Sequence, residues 1–388
     1  MLVCMKVLFI SPGSYAHAHE VYYSGRYSPW AQGLSKLGHE VTILTTRAGL
    51  REVIKVKTSS GFEVIALPKH SFPFLFNLTK YWTHLTMVHY DVVHYFNWYP
   101  NIGSLLIASF LKTSQDSVLI EDVTDAWFAA SKRADLYAKF SSKVPDHFTP
   151  MTEELRELYS RFGVPLHKST VVPSAADTER IRSLEKEKAR KELGIKRDIF
   201  LLGFEWGTLA SPLYDTVLFL FYALRKIIEK FPQATLAFIG KFSRYQNTIV
   251  ELAKRFDAKN IVFSGPCSSL ELSYWLSACD VLLLPQGNNI FERTRFPTRF
   301  LEYLAAGRPI VVTASSVTAP LVIQKGCGLV ARTNDPNDFA AKIIQLLMDE
   351  DLRHKMSVCA RSLALNEFTR ESAAKKLEGV YKSLLEKC

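Results

Sequence analysis

The stretch Arg295-Phe-Pro-Thr-Arg-Phe-Leu-Glu-Tyr-Leu-Ala-Ala-Gly-Arg-Pro-Ile-Val311 reads as a short helix with a marked start and stop, followed by an apolar strand. Pro297 suits the first helical position, where its missing N–H costs nothing, and Gly307 suits the left-handed residue just past the end. About three turns separate them. The start would present unpaired N–H groups and the positive end of the helix dipole to an anion, with Arg295 and Arg299 beside them and Thr298 and Phe300 in the same turn. Glu302 follows Arg299 by one turn on the same face. A carboxylate repels phosphate but accepts two hydrogen bonds from a diol, so phosphate at the tip and ribose lower down would suit these residue types. A helix packed on a sheet with one surface acid has the same spacing. Physics alone leaves both readings open.

On either side, short apolar runs alternate with longer amphipathic segments, the pattern of βα units on a parallel sheet. In the first half strands are expected at Lys6–Ser11, Glu40–Thr46, Phe62–Leu67, Val92–Asn97, Val118–Glu121, His147–Pro150 and Thr170–Pro173. Helices are expected near Ser28–Leu37, Asn101–Lys112 and Thr152–Phe162. The charged run Asp177–Leu193 then interrupts the rhythm and reads as an inter-domain connection plus a solvated helix. Strands resume at Ile199–Phe204, Thr235–Gly240, Asn260–Gly265, Val281–Pro285, Pro309–Thr313 and Gly328–Ala331, with a long helix at Leu213–Phe231. The expected organisation is α/β, with a first domain over 1–180 and a second over 181–369. A last helix, around Glu371–Glu386, carries 370–388 back onto the first. Two facing, doubly wound, Rossmann-like domains with a deep cleft between them would place ligands at the carboxyl ends of both sheets.

The 388 residues suffice for two domains, and 48% apolar content excludes a disordered chain. The net charge of +10 invites a nucleic-acid partner, but acids and bases are interspersed and no basic block or nucleic-acid motif is present. No nucleic acid is therefore expected. Cys4, Cys267, Cys279, Cys327, Cys359 and Cys388 are scattered without metal-ligand spacing, which suggests reduced thiols in a cytoplasmic enzyme. No apolar run approaches the ~20 residues needed to span a bilayer, so neither a signal peptide nor a transmembrane helix is expected.

The opening stretch resembles the donor-site motif of glycosyltransferase family 4, in which a Glu-x7-Glu pair precedes a small-residue turn and Gly-x-Pro-Ile/Val. Glu302 matches the second Glu and Leu-Ala-Ala-Gly-Arg-Pro-Ile matches the tail, while Thr294 stands where the first Glu belongs. Glu292 is two residues out of register and takes no role. Pro-Thr-Arg-Phe-Leu-Glu-Tyr is similar to the Pro-Ser-Lys-Leu-Phe-Glu-Tyr form of one branch of that family. The resemblance covers nearly the whole chain. It implies the GT-B fold and transfer of a hexose, with retention, from a uridine- or guanosine-diphosphate sugar to an acceptor hydroxyl on a growing glycan or a lipid-linked acceptor. It implies no metal or other cofactor. A GT-B sugar-nucleotide epimerase and a catalytically degenerate GT-B-like subunit remain alternatives.

The remaining motifs are placed by the same resemblance. After the first strand, Gly13 lets the backbone approach a sugar phosphate, and no Gly-x-Gly-x-x-Gly follows. His17 and His19 are loop residues near the acceptor or surface histidines. In Leu119-Ile-Glu-Asp-Val-Thr-Asp-Ala-Trp127, the Asp-x-Trp branch pattern makes Asp125 the catalytic-side residue at the sugar, with Glu121 and Asp122 structural. Asp125 and Glu302 are thus the catalytic candidates. Asp177, in Val-Pro-Ser-Ala-Ala-Asp, either caps the next segment or reaches the cleft. The loop after Phe204 lacks the Arg and Lys that would bind diphosphate, leaving charge compensation to Arg293, Arg295, Arg299 or to Lys241 and Arg244 beyond Gly240. The turn at Gly265 matches the place where the base rests. Between Glu63 and Asp91 no acid occurs, and Lys69, Lys80, Trp82 and neighbouring aromatics make 69–90 either a membrane-facing segment, at the inner face of the cell membrane, or a core helix with snorkelling lysines.

Overall fold

The computed structural model describes residues 4–11, 25–47, 50–68, 85–97, 102–129, 132–205, 213–240, 246–256, 258 and 260–387. Gly13, His17, His19, the stretch 69–84, Lys241, Arg244 and the loop 206–212 lie outside the described residues. In chain order the first elements are β1 (Lys6–Ser11), α1 (Tyr27–Lys36), β2 (Glu40–Arg47), β3 (Ile54–Lys57), β4 (Glu63–Pro68), β5 (Val92–Asn97), α2 (Ile102–Gln115) and β6 (Val118–Val123). Then come α3 (Lys132–Ser141), β7 (His147–Pro150), α4 (Glu153–Ser160), α5 (Lys186–Leu193), β8 (Phe200–Glu205), α6 (Leu213–Lys230), β9 (Ala234–Ile239), α7 (Gln246–Arg255) and β10 (Ile261–Gly265). The remainder are α8 (Ser269–Ala278), β11 (Val281–Leu284), α9 (Ile290–Thr294), α10 (Thr298–Ala306), β12 (Ile310–Thr313), α11 (Ala319–Lys325), β13 (Gly328–Ala331), α12 (Pro336–Met348), α13 (Glu350–Asn366) and α14 (Arg370–Leu385).

The chain divides into two compact units, Met1–Ala175 with Arg370–Cys388, and Ala176–Thr369. The first unit holds a sheet in the order β3-β4-β2-β1-β5-β6-β7, parallel except for β3, which runs antiparallel on β4. Strands β5 and β6 are buried along their whole length, as expected of parallel strands covered on both faces. The second unit's sheet runs β10-β9-β8-β11-β12-β13 and is parallel throughout. In both sheets the strand order reverses once, between β1 and β5 and between β8 and β11. A doubly wound sheet takes its ligands beside the carboxyl ends at that reversal.

Several expectations are corrected. Thr170–Pro173 is not a strand: it runs beside β7 through two bonds, Thr170 N–H to Phe148 O and Val172 N–H to Pro150 O, both 3.0 Å. Strand β3 went unrecognised because it is a four-residue edge with alternating exposed lysines. Helix α3 gave no amphipathic signal because two of its large apolar residues, Leu136 and Phe140, face outward. Pro297 is the N-cap rather than the first helical residue of α10. Helix α5 is not simply solvated, since Arg190 is buried and its guanidinium meets Asp280 at 2.7 Å.

Helix α14 packs against α1 in the first unit. Its Tyr381 hydroxyl lies 2.8 Å from His94 Nδ1, and His94 Nε2 lies 3.0 Å from Thr149 Oγ1. Burial, with the charge of Arg26 nearby, holds His94 well below the usual histidine range, so the ring stays neutral. The two helices meet at Gly33. A Cβ built there would stand 2.6 Å from both Ala374 Cβ and the Arg370 carbonyl oxygen. In an exposed helix Gly→Ala stabilises by about 0.5–1 kcal/mol. Here the clash should reverse that sign: Gly33→Ala is expected to destabilise the first unit by about 1–3 kcal/mol in denaturant titration. A gain in stability would show that α14 can slide away without loss.

Candidate functional site

In the second unit the last residue of β8 is an acid. Phe200-Leu-Leu-Gly-Phe-Glu205 enters the sheet apolar and leaves it at Glu205, on the central strand next to the reversal of strand order, with its carboxyl group out of water. Tyr303 of α10 fixes this strand end, its hydroxyl accepting the Glu205 N–H at 2.9 Å and donating to Leu283 O at 3.2 Å across to β11. Arg299, one turn earlier on α10, donates from Nη1 to Glu205 O at 2.9 Å, and its guanidinium lies 5.6 Å from the centre of the Phe204 ring. The C-terminus of α10 closes on Gly307 at φ 66°, in the left-handed conformation the sequence called for.

Glu302 lies among these groups and is largely buried, with its Oε1 held by Arg180 Nη1 at 2.8 Å. Its charge acts on the buried Glu205 carboxyl group. Burial, and then the charge of Glu302, hold Glu205 well above the usual carboxylate range, and Arg299 and Arg180 offset this only in part. The protonated form of Glu205 is thereby favoured, which lessens the negative charge on the pair. The guanidiniums of Arg180 and Arg299 act on the same pair and bring positive charge to the strand ends. This suits an anionic ligand.

The other predicted donor residues that are described in this unit have local roles. Arg295 is half-buried and caps the end of α9, and Thr298 is exposed at the start of α10. Phe300 is fully buried, 5.7 Å from Phe296 in an edge-on pair, and its N–H already donates to Pro297 O. Gly240 and Gly265 end β9 and β10 at φ 112° and 71°, conformations that favour glycine, and Gly240 N–H donates to Ser264 Oγ at 2.9 Å. Glu292 holds a loop rather than a ligand, accepting from Gly287 N–H at 2.6 Å and Asn289 Nδ2 at 3.0 Å. Thr294 donates to Ile290 O within its own helix. Asp177 accepts the Arg180 N–H at 3.0 Å and so caps the turn that carries that arginine.

In the first unit Asp125 follows β6 and is half-buried, just before a short turn in which Trp127 packs edge-on against Phe128 and Tyr137. The two acids before it are structural. Glu121 accepts from Asn97 Nδ2 at 2.8 Å, Tyr159 Oη at 2.9 Å and the Tyr95 hydroxyl. Asp122 is clamped by Arg26, which reaches it through Nη2 at 2.6 Å and Nε at 3.1 Å.

Arg180 and Glu205 were missed from the sequence. Arg180 meets Glu302 across 122 positions of chain, and its place in a charged run makes it look solvated. Glu205 stands where cations were sought, and the only clue to it was a lone acid closing an apolar strand.

Comparison with known proteins places the chain in a family. Residues 30–180 match Glycosyltransferase Family 4, and residues 202–349 match Glycosyl transferases group 1. Among similar sequences, the D-inositol 3-phosphate glycosyltransferase of Corynebacterium jeikeium is 28% identical over 60% of this chain and 56% of its own. The chain thus spans little more than half the length of that relative. The protein of the same description from Corynebacterium aurimucosum is 24% identical over 90% of this chain and 88% of its own. Among solved structures, sucrose-phosphate synthase from Thermosynechococcus elongatus superposes with a TM-score of 0.76, at 16% identity, over 99% of this chain and 100% of that one. Anabaena Alr3699/HepE, solved with UDP and glucose, gives 0.75 at 14% identity over 98% of this chain and 100% of that one. These two likenesses establish the fold.

The proton on Glu205 makes stability depend on pH. The unfolded chain loses it near the ordinary glutamate value of 4.5 while the folded chain keeps it, so folding is favoured less as pH rises through the higher folded value. The second unit should therefore lose stability from about pH 5 upward, and Glu205→Gln should flatten that decline, as read by denaturant titration across pH. Parallel curves for the parent and the variant would mean that Glu205 is ionised in the folded protein.

Proposed function

Because this chain belongs to the GT-B glycosyltransferases of the group 1, family 4 type, we propose that it transfers a sugar from a nucleoside-diphosphate sugar to an acceptor hydroxyl, with retention at the anomeric carbon. The observation that carries this reading is the cluster of Glu302, Arg180, Arg299 and the buried Glu205 at the strand-order reversal of the second sheet. The Glu302 carboxylate, held in place through one oxygen by Arg180, accepts from the ribose diol. Arg299 and the start of α10 meet the diphosphate, replacing the cations absent after β8. Positioning and charge stabilisation of the leaving diphosphate then drive transfer without a metal ion. Asp125 acts at the sugar or the acceptor. The acceptor is a glycan or a lipid-linked hydroxyl, reached at an anionic membrane surface. The names of the relatives add D-inositol 3-phosphate as a further acceptor to try.

Equilibrium binding tests the nucleotide half. Glu302→Ala is expected to weaken nucleoside-diphosphate binding by about 1.5–3 kcal/mol, the scale of a hydrogen bond to a charged group. Arg299→Met should weaken the diphosphate more than the bare nucleoside, and equal losses would assign Arg299 to the fold. If the parent binds no nucleoside diphosphate, the chain is a degenerate member of its family.

Turnover tests the other half. Asp125→Asn should lower free-nucleotide release by at least about tenfold, the scale of a displaced catalytic group, while diphosphate affinity stays within error. Full turnover in that variant would reduce Asp125 to a turn residue.

A further inference from the structure

We propose that the outer face of α3 docks the first unit onto an anionic lipid surface. The proposal rests on the membrane contact proposed above and assigns it to α3. Helix α3 turns Ala134 and Ala138 inward, and Tyr137 packs on the core cluster of Leu8, Ile10 and Tyr95. Its two large aliphatic and aromatic side chains do the opposite. Leu136 and Phe140, one turn apart, are 70% and 68% exposed. Ordinarily such residues point into the core, and here small alanines and a tyrosine do that work.

Two more exposed apolar residues share this side of the sheet. Met87, 80% exposed, and Leu106 of α2, 58% exposed, lie in segments whose neighbours Leu85, Tyr90, Leu105 and Ile107 belong to the same core cluster. The opposite face is covered by α1 and α14, whose Tyr27, Trp30, Leu377 and Tyr381 belong to another cluster. Among the described residues, four of the five exposed large apolar side chains of this unit therefore lie in elements on one side of its sheet, Leu166 being the fifth.

Charge identifies the occupant. Between 132 and 143 the chain carries Lys132, Arg133, Lys139 and Lys143 against Asp135 alone. Lys132, Lys139 and Lys143 are exposed, and Lys139 already neutralises Asp135 at 3.1 Å. A short helix showing Leu and Phe between lysines fits the boundary between lipid headgroups and acyl chains: the rings and branches enter, and the ammonium groups stay with the anionic headgroups. No described helix is long and apolar enough to cross a membrane, so the contact is one of lying on the surface.

The test is co-sedimentation of the full chain with vesicles of phosphatidylcholine, with and without phosphatidylglycerol, at low and high salt. The parent is expected to bind the anionic vesicles with a salt-resistant remainder. Each lysine near such a surface is worth roughly a fivefold change in partitioning, so Lys132→Glu/Lys139→Glu/Lys143→Glu should lower binding by at least roughly a hundredfold. Leu136→Ser/Phe140→Ser should remove the salt-resistant part. All five side chains are exposed, so thermal melting should match the parent. The inference is overturned if both variants sediment like the parent. If Lys69→Glu/Lys80→Glu/Trp82→Ser alone abolishes binding while the α3 variants retain it, the membrane contact stands and α3 has no part in it. A parent that ignores every vesicle overturns both. A lipid-free dimer that Leu136→Ser/Phe140→Ser dissociates, with no vesicle binding, gives this face to a second copy instead.

Discussion

Carboxyl groups withdrawn from water at the carboxyl ends of the strands set the terms for both units. A buried carboxylate is tolerable only when a cation or several donors meet it, and removing its partner is expected to cost several kcal/mol. The first unit answers with Arg26, which binds Asp122 through two nitrogens, donates to Val172 O at 2.6 Å, and lies 4.0 Å from the centre of the Trp30 ring. One guanidinium thereby ties the residue before α1, the end of β6 and the segment that runs beside β7 into a single arrangement. The loop carrying Asp125 starts from that fixed point.

In the second unit burial and the charge of Glu302 push Glu205 toward its neutral form, while Arg180 and Arg299 offset this only in part. An acid at the end of β8 therefore need not repel an anionic ligand, provided that it stays protonated. This resolves the apparent defect of a loop with no cation after Phe204. The positive charge is supplied from elsewhere in the unit, by Arg180 on the chain before α5 and by Arg299 on α10.

What was legible in the sequence is what local chemistry dictates. The apolar runs named nearly every strand, and Gly307 and Gly265 stand where left-handed turns require them. The family resemblance extended this to the fold of both units. The pairings that build the site were not legible, because Arg180 with Glu302 and Arg26 with Asp122 join residues far apart in the chain. A charged residue in a charged run gives no sign of being buried. The reverse error occurred at α3, where apolar residues that should mark a core face point outward, so the periodicity that reveals a helix was absent.

Helix α14 has a consequence for how the chain comes to be folded. The first unit is assembled from two lengths of chain with the whole second unit between them, and Gly33, His39 and His94 each meet a residue of the later length. During synthesis, the core cluster that Ala373, Ala374, Leu377 and Tyr381 complete must wait until residues beyond 370 have emerged, whereas the second unit is continuous and needs nothing that comes later. The half made first is therefore completed last. In that interval its unfinished apolar face is the part of the molecule most exposed to chaperones and to aggregation.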